Sequence, residues 1–366
     1  MRILISGYYG FGNVGDEAVL ESIIQEFRKV QPDIEMVVLS ALPRVTSEIY
    51  GVKAIHRYDW LKVFLNVIKA DVVVSGGGTL FQDATSNRSF WYYIGIVILA
   101  KLLRKKVAVF GQGFGPLRSK LNQKLIRLVL NRVDLITLRD EGSFNKLSEM
   151  GIKKSPMVVT GDPSVLLEPP DSIEGRKILS LEGIPTDRVL LGISVRNIPK
   201  HPELENKVFF MLAESLDYLV KKYNYQPVFL LLQCPEDIRE VSKVINLMKE
   251  KSNVIFRICR PKEILSLVSC FDLLIGMRLH SLIFATMNAV PMLGISYDPK
   301  VEAFMKLIEQ PSIKVDQAEK LYEVLEEILA RKESIKKDLE SKREMLRARA
   351  ALNFELFFAT FEKVVK

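Results

Sequence analysis

The chain opens MRILISGYYGFGNVGDEAVLESIIQEFRKV, residues 1–30, and this stretch decides the fold class. Arg2–Ser6 is a short apolar run, Gly7–Gly15 a glycine-rich turn, and Glu17–Val30 carries apolar residues at helical spacing. Strand, glycine turn and helix make the first step of a parallel βα unit, whose strand C-termini face a ligand crevice. The alternation continues through Glu35–Ser40, Asp71–Ser75, Lys106–Phe110, Leu135–Leu138 and Met157–Thr160, with a helix expected over Leu117–Asn131. Leu166–Pro185 breaks it. Paired prolines in Glu168-Pro169-Pro170-Asp171 neither continue a helix nor occupy a central strand, so a linker is expected here. Strands resume at Val189–Ser194, Pro227–Leu232, Asn253–Phe256, Leu273–Gly276 and Pro291–Ser296, and the chain is helical from Gln317. The pattern predicts an α/β protein with two Rossmann-like domains facing a central cleft. The expected bounds are residues 1–168, residues 169–345, and a C-terminal helix over 346–366 packing back on the first domain.

The length of 366 residues agrees, since one core rarely grows beyond about 250–300 residues. With 48% hydrophobic and 26% charged residues, the chain is not of the disordered class. Three cysteines without CxxC spacing and three histidines offer no zinc or disulfide framework, so no metal is expected. The longest apolar run, Phe90–Ala100, has eleven residues, whereas a bilayer span needs about 20. The first residues lack the regions of a signal peptide, so a cytoplasmic location is expected. The net charge of +8 is unevenly spread: residues 84–133 hold ten Lys+Arg and no acid, and Arg331–Arg349 holds eight against four. No aromatic-interleaved basic motif accompanies it, which argues against nucleic acid. Lys101, Arg104, Lys105 and Lys106 beside the Phe90–Ala100 helix are instead expected either to form a solvated basic face or to meet an anionic membrane face.

Four glycine turns end strands of the first domain. Gly10, Gly12, Asn13, Gly15 and Asp16 form the first, where the acids Asp16 and Glu17 favour hydroxyl binding or helix capping over phosphate. Gly76, Gly77 and Gly78 point to close backbone approach by a ligand, and Asp83 either accepts sugar hydroxyls or caps the next helix. Gly111, Gly113 and Gly115, with Pro116 at the first helical position and Arg118, Lys120 and Lys124 beyond, make the better anion site. Arg139 is either a carboxylate clamp or a partner of Asp140 or Glu141. In the second domain Arg196, Arg278 and Lys300 stand at strand ends, Lys300 having a solvated surface charge as its plain reading. Arg278 and His280 are two apart and in extended backbone would face one ligand. His280 is the candidate acid or base, because His56 and His201 read as loop residues. GxSxG, HExxH and Cys–His pairs are absent, which excludes the familiar triads and zincins.

Taken in order, GYYGFGNVGDEA, GGGTLFQD, GQGFGP, RDEGS, GISVR, GMRLHS and GISYDPKV resemble the polysaccharide pyruvyl transferases, specifically the CsaB type, from Ser6 to about Val301. The resemblance implies a GT-B-like fold, no metal and no cofactor. It implies transfer of a pyruvyl group from phosphoenolpyruvate to a sugar as a cyclic ketal, with phosphate release. The implied acceptor is an N-acetylmannosamine on a lipid-diphosphate-linked saccharide, bridged at O4 and O6, for a secondary cell-wall polymer that anchors S-layer proteins. It assigns phosphoenolpyruvate binding and catalysis to Arg278, Leu279 and His280, and a role to Lys300; Ser281, next to His280, is a further substrate-binding candidate. A GT-B glycosyltransferase using a sugar nucleotide, and a non-catalytic solute-binding module, are the competing readings.

Overall fold

The computed structural model describes residues 1–84, 86–168, 172–199 and 201–362. The chain divides into two compact units, Met1–Leu167 with Leu346–Lys366, and Glu168–Met345.

The first unit alternates β1 (Arg2–Ser6), α1 (Val14–Val30), β2 (Glu35–Ser40), α2 (Pro43–Tyr50), β3 (Lys53–His56), α3 (Trp60–Lys69) and β4 (Val72–Ser75). It continues with α4 (Asn87–Leu102), β5 (Lys106–Gln112), α5 (Lys120–Leu130), β6 (Leu135–Leu138), α6 (Glu141–Glu149) and β7 (Met157–Val159). The strands form one parallel sheet in the order β3-β2-β1-β4-β5-β6-β7. Helices cover both faces of such a sheet, which is why β4 is apolar and buried throughout rather than alternating. The order reverses between β1 and β4, the switch point where a crevice opens at the strand C-termini.

In the second unit α7 (Ser172–Leu181) precedes β8 (Val189–Ser194), α8 (Pro202–Tyr223), β9 (Tyr225–Leu230), α9 (Glu236–Leu247), β10 (Asn253–Ile255) and α10 (Pro261–Val268). Then follow β11 (Leu273–Gly276), α11 (Leu279–Met287), β12 (Met292–Ser296), α12 (Pro299–Leu307), β13 (Ser312–Lys314), α13 (Leu321–Ala330) and α14 (Lys332–Phe361). This sheet is also parallel, ordered β10-β9-β8-β11-β12-β13, and reverses between β8 and β11. The end of α14 lies in the first unit. There Phe357 packs 4.7 Å from Phe27, and Asn353 donates to Gly161 O at 2.9 Å.

The structure corrects several expectations. α7 occupies much of the expected linker, because Ile178 and Leu179 are buried and Gly175 N donates to Ser266 Oγ at 2.8 Å. Pro169, Pro170 and Asp171 lie outside the described residues. α1 starts three residues early because Asn13 is its cap, accepting from Gly15 N at 3.0 Å, so Gly15 and Asp16 are helical. α5 starts late, capped by Ser119, which leaves Pro116 outside the helix. His56 ends β3, and His201 caps α8. No helix among the described residues is long and apolar enough to cross a membrane.

Candidate active site

The switch point of the second unit gathers the most chemistry. Gly276, the last residue of β11, pairs with Ser194, the last of β8. Ser194 Oγ lies 2.6 Å from Ser281 Oγ, and Ser281 Oγ donates to Arg278 O at 2.6 Å. A Cβ at Gly276 would stand 2.7 Å from Ser281 Oγ, so only glycine lets the α11 start close over the strand. Arg278 caps α11 in extended conformation and is 7% exposed. Its guanidinium donates to Gln233 Oε1 at 3.0 Å and forms an ion pair with the Asp237 carboxylate. Asp237 also accepts from Leu232 N at 3.1 Å and Gln233 N at 2.9 Å, so the loop after β9 orients the arginine.

Leu279 is buried and begins α11; His280 therefore sits in the helix's first turn, half-buried, its ring 6.4 Å from Phe284. Arg278 and His280 thus stand at the helix start that the glycine-bounded turn implies, but the backbone turns helical at Leu279, so extended-backbone alternation does not set the direction of the two side chains. Arg196 is half-buried with its guanidinium 5.5 Å from the Tyr297 ring. Lys300 lies in the first turn of α12, where its backbone N donates to Asp298 Oδ1 at 3.0 Å and Nζ stands 3.7 Å from Asp298 Oδ2. The C-terminal ends of β8, β11 and β12 thus carry two arginines, a lysine, an imidazole and two hydroxyls along one edge, a set suited to an anion with a transferable proton nearby.

At the switch point of the first unit the crevice is filled from within. Tyr9 is fully buried, and a Cβ at Gly76 would overlap its hydroxyl. That hydroxyl has no hydrogen-bond partner among the described residues. Burial, then the Asp16 and Glu17 carboxylates, holds the phenol well above its ordinary pKa. Gly77 is packed by Val19, and Gly78, with φ +90°, by the Asp16 carboxylate. The close approaches read as ligand contacts are here made by the protein's own side chains. Gly10 and Gly12 both adopt positive φ ahead of Asn13.

The other turns are stapled likewise. Asp83 accepts from Arg118 N at 2.8 Å, Ser119 N at 3.0 Å and Asn122 Nδ2 at 2.9 Å. Burial works against its charge, yet these donors hold the carboxyl below its usual range. It therefore caps the α5 approach, not the helix next in sequence. Gly111 N donates to Thr137 Oγ1, while Gly113 and Gly115 sit against Arg139 and the Gln82 and Thr79 side chains. Arg139 is buried in an ion pair with Asp162 at 3.0 Å, donates to Thr79 Oγ1 at 3.2 Å, and lies 3.7 Å from Asp140. Its main partner is one that neither sequence reading named.

Sequence reasoning missed Asp162, Asp237, Tyr9 and Arg57. The first two were signalled by acids just past strand ends, in Gly161-Asp162-Pro163 and Pro235-Glu236-Asp237. Arg57 carried no signal: 3% exposed, it lies 4.0 Å from the Tyr92 ring and 4.9 Å from Phe11, with no carboxylate partner among the described residues. Among the described residues no group of His, Cys, Asp and Glu is placed to hold a metal ion.

A family model described as "Polysaccharide pyruvyl transferase" matches residues 13–299. The chain is similar to the amylovoran biosynthesis protein AmsJ of Erwinia amylovora, 22% identical over 370 residues, covering 86% of this chain and 88% of that one. In solved structures it is similar to the Anabaena protein HepE in complex with UDP-glucose, with TM-score 0.67, 11% identity and coverage of 99% and 100%. It is equally similar to a putative UDP-N-acetylglucosamine 2-epimerase of Listeria monocytogenes, with TM-score 0.67, 12% identity and coverage of 99% and 97%. These likenesses are to GT-B-type folds and, at such identities, concern the fold alone.

Proposed function

The chain belongs to the polysaccharide pyruvyl transferase family, and we propose from this that it moves a pyruvyl group from phosphoenolpyruvate to two hydroxyls of a sugar, forming a cyclic ketal. The observation that carries the reading is the second unit's switch point, where Arg278, held by Asp237, and His280 stand at the start of α11. Phosphoenolpyruvate brings a phosphate and a carboxylate, which need several cationic donors; Arg196 and Lys300 supply charge, and Arg278, already paired with Asp237, supplies its remaining N–H donor. His280 as imidazolium donates its proton to the enol methylene, leaving an oxocarbenium-like carbon that one sugar hydroxyl attacks. The second hydroxyl then displaces phosphate and closes the ketal; one hydroxyl proton leaves on the hydrogen phosphate and the other returns to His280.

In this reading the acceptor does not sit in the glycine turns of the first unit, which the protein's own side chains fill. Its identity as N-acetylmannosamine on a lipid-diphosphate-linked saccharide, for an S-layer-anchoring polymer, rests on the CsaB-type resemblance. The AmsJ likeness favours a second acceptor, a saccharide of the kind that amylovoran biosynthesis uses. The reading places the protein at the cytoplasmic face, where lipid-diphosphate saccharides are built.

The test incubates the protein with phosphoenolpyruvate and either lipid-diphosphate saccharide mimic, and measures phosphate release and a pyruvyl mass increment. His280→Ala should lower ketal formation about 10²–10⁴-fold, and Arg278→Ala should raise the phosphoenolpyruvate requirement strongly. Near-normal turnover in His280→Ala removes the proposed acid. Heat protection by UDP or GDP, and not by phosphoenolpyruvate, points to a sugar-nucleotide enzyme.

A further inference from the structure

The helix α3, Trp60-Leu61-Lys62-Val63-Phe64-Leu65-Asn66-Val67-Ile68-Lys69, turns two apolar faces outward from its axis. Val63 and Val67 are buried and hold it to the first unit. On the other side Trp60, Leu61, Phe64, Leu65 and Ile68 are exposed, Leu61 at 70%. A surface helix ordinarily presents charge there. Leu42, Val45 and Tyr58 are exposed beside it, and a cavity of about 750 Å³ lined by Leu42, Pro43, Val45 and Ile55 adjoins the helix through Lys62 and Asn66.

The charge around this apolar field is net positive. Residues 42–69 carry the surface cations Arg44, Lys53, Lys62 and Lys69, Arg57 being buried, against Glu48 and Asp59, and Asp59 is taken by the α3 cap and by Lys62 at 2.8 Å. Arg44, Lys53 and Lys69 are exposed and make no ion pair among the described residues. Arg44 and Lys53 also rim the cavity. An exposed apolar stripe with a tryptophan and a cationic border is the composition of a helix that lies in a lipid interface. Lysine, by contrast, is depleted from the core of protein–protein interfaces.

We propose that α3 and the cavity beside it dock this protein on an anionic lipid bilayer, with Trp60, Leu61, Phe64, Leu65 and Ile68 in the interface and Arg44, Lys53 and Lys69 against the headgroups. This relocates the membrane contact expected from the sequence. Lys101 and Lys106 bind Asp134 at 2.8 and 3.0 Å, and most of the Phe90–Ala100 run is buried in the core. The inference stands apart from the pyruvyl reaction, because it uses no residue of the second unit.

The test is co-sedimentation of the full chain with vesicles of phosphatidylcholine and phosphatidylglycerol at 3:1, and with phosphatidylcholine alone. In Trp91→Phe protein, emission then reports Trp60, since the chain has only two tryptophans. Binding to the anionic vesicles with a blue shift is expected. Leu61→Ser/Phe64→Ser/Leu65→Ser, all exposed positions, should weaken partitioning at least about tenfold with the melting temperature unchanged. Arg44→Glu/Lys53→Glu should weaken binding to the anionic vesicles only. No binding to either vesicle, or equal binding by these variants, overturns the proposal. So does lipid-free self-association in sedimentation velocity that the triple variant abolishes, which would assign the face to a second copy of the chain.

Discussion

Asp237→Ala is the sharpest perturbation of the second unit's switch point. The carboxylate is 2% exposed, accepts two backbone N–H groups of the loop after β9, and neutralises the buried Arg278 guanidinium. Alanine removes all three interactions and leaves a cation in a site with little water. Breaking a buried pair from one side costs about 3–5 kcal/mol, far more than the net worth of the intact pair. For a unit of this size each kcal/mol moves the transition by about 2–4 °C, so a fall of about 6–20 °C is expected. The assay is thermal unfolding followed by circular dichroism, with the phosphoenolpyruvate dependence measured well below the transition. A paired variant isolates the cause. Asp237→Ala/Arg278→Met removes the stranded charge and should be more stable than Asp237→Ala alone. A loss below about 1 kcal/mol in the single variant, or strict additivity in the double, refutes the claim that Asp237 compensates Arg278.

Two further outcomes follow from the first unit. Gly76→Ala should be strongly destabilising, because the new methyl overlaps the Tyr9 hydroxyl, and Tyr9→Phe should restore most of the loss, with Tyr9→Phe alone nearly neutral since the hydroxyl has no partner among the described residues. Urea melts of the four proteins check this, and no rescue by Tyr9→Phe contradicts it. Burial holds the Glu17 carboxyl above its ordinary 4.5, against hydrogen bonds from Gly10 N and the Tyr50 hydroxyl. The folded state then binds that proton more tightly than the unfolded chain, so this group's contribution is full below pH 4.5 and declines as pH rises through the folded value. Glu17→Gln should flatten that decline in urea melts from pH 4 to 8, and an unchanged slope counts against it.

Local chemistry was readable where the chain carried its own signal. The apolar runs of β1, β4, β5 and β11 are buried on both faces, so their composition alone marks them as central parallel strands. β3 and β13 were not legible: Lys53-Ala54-Ile55-His56 and Ser312-Ile313-Lys314 are edge strands that each bury one residue and are bounded by charged or polar side chains, so neither shows an apolar run. α7 was hidden by the prolines before it; the contact with α10 that stabilises it joins residues far apart in sequence.

The glycine turns show the boundary best. That Gly76-Gly77-Gly78 must admit something close to the backbone followed from the missing Cβ atoms. What comes close is decided by the fold, which brings Tyr9, Val19 and Asp16 into that space. Likewise Arg139 and Arg278 were visible as strand-end cations, but their acids, Asp162 and Asp237, lie 23 and 41 residues away. The sequence by itself determined the alternation of strands and helices, the strand-end placement of the cations, and the family, since each is written in residues adjacent along the chain. Which cations are already neutralised, which glycine turns are filled, and which helix shows an apolar face were decided only by the tertiary structure, because burial and ion pairing depend on side chains brought together from distant segments.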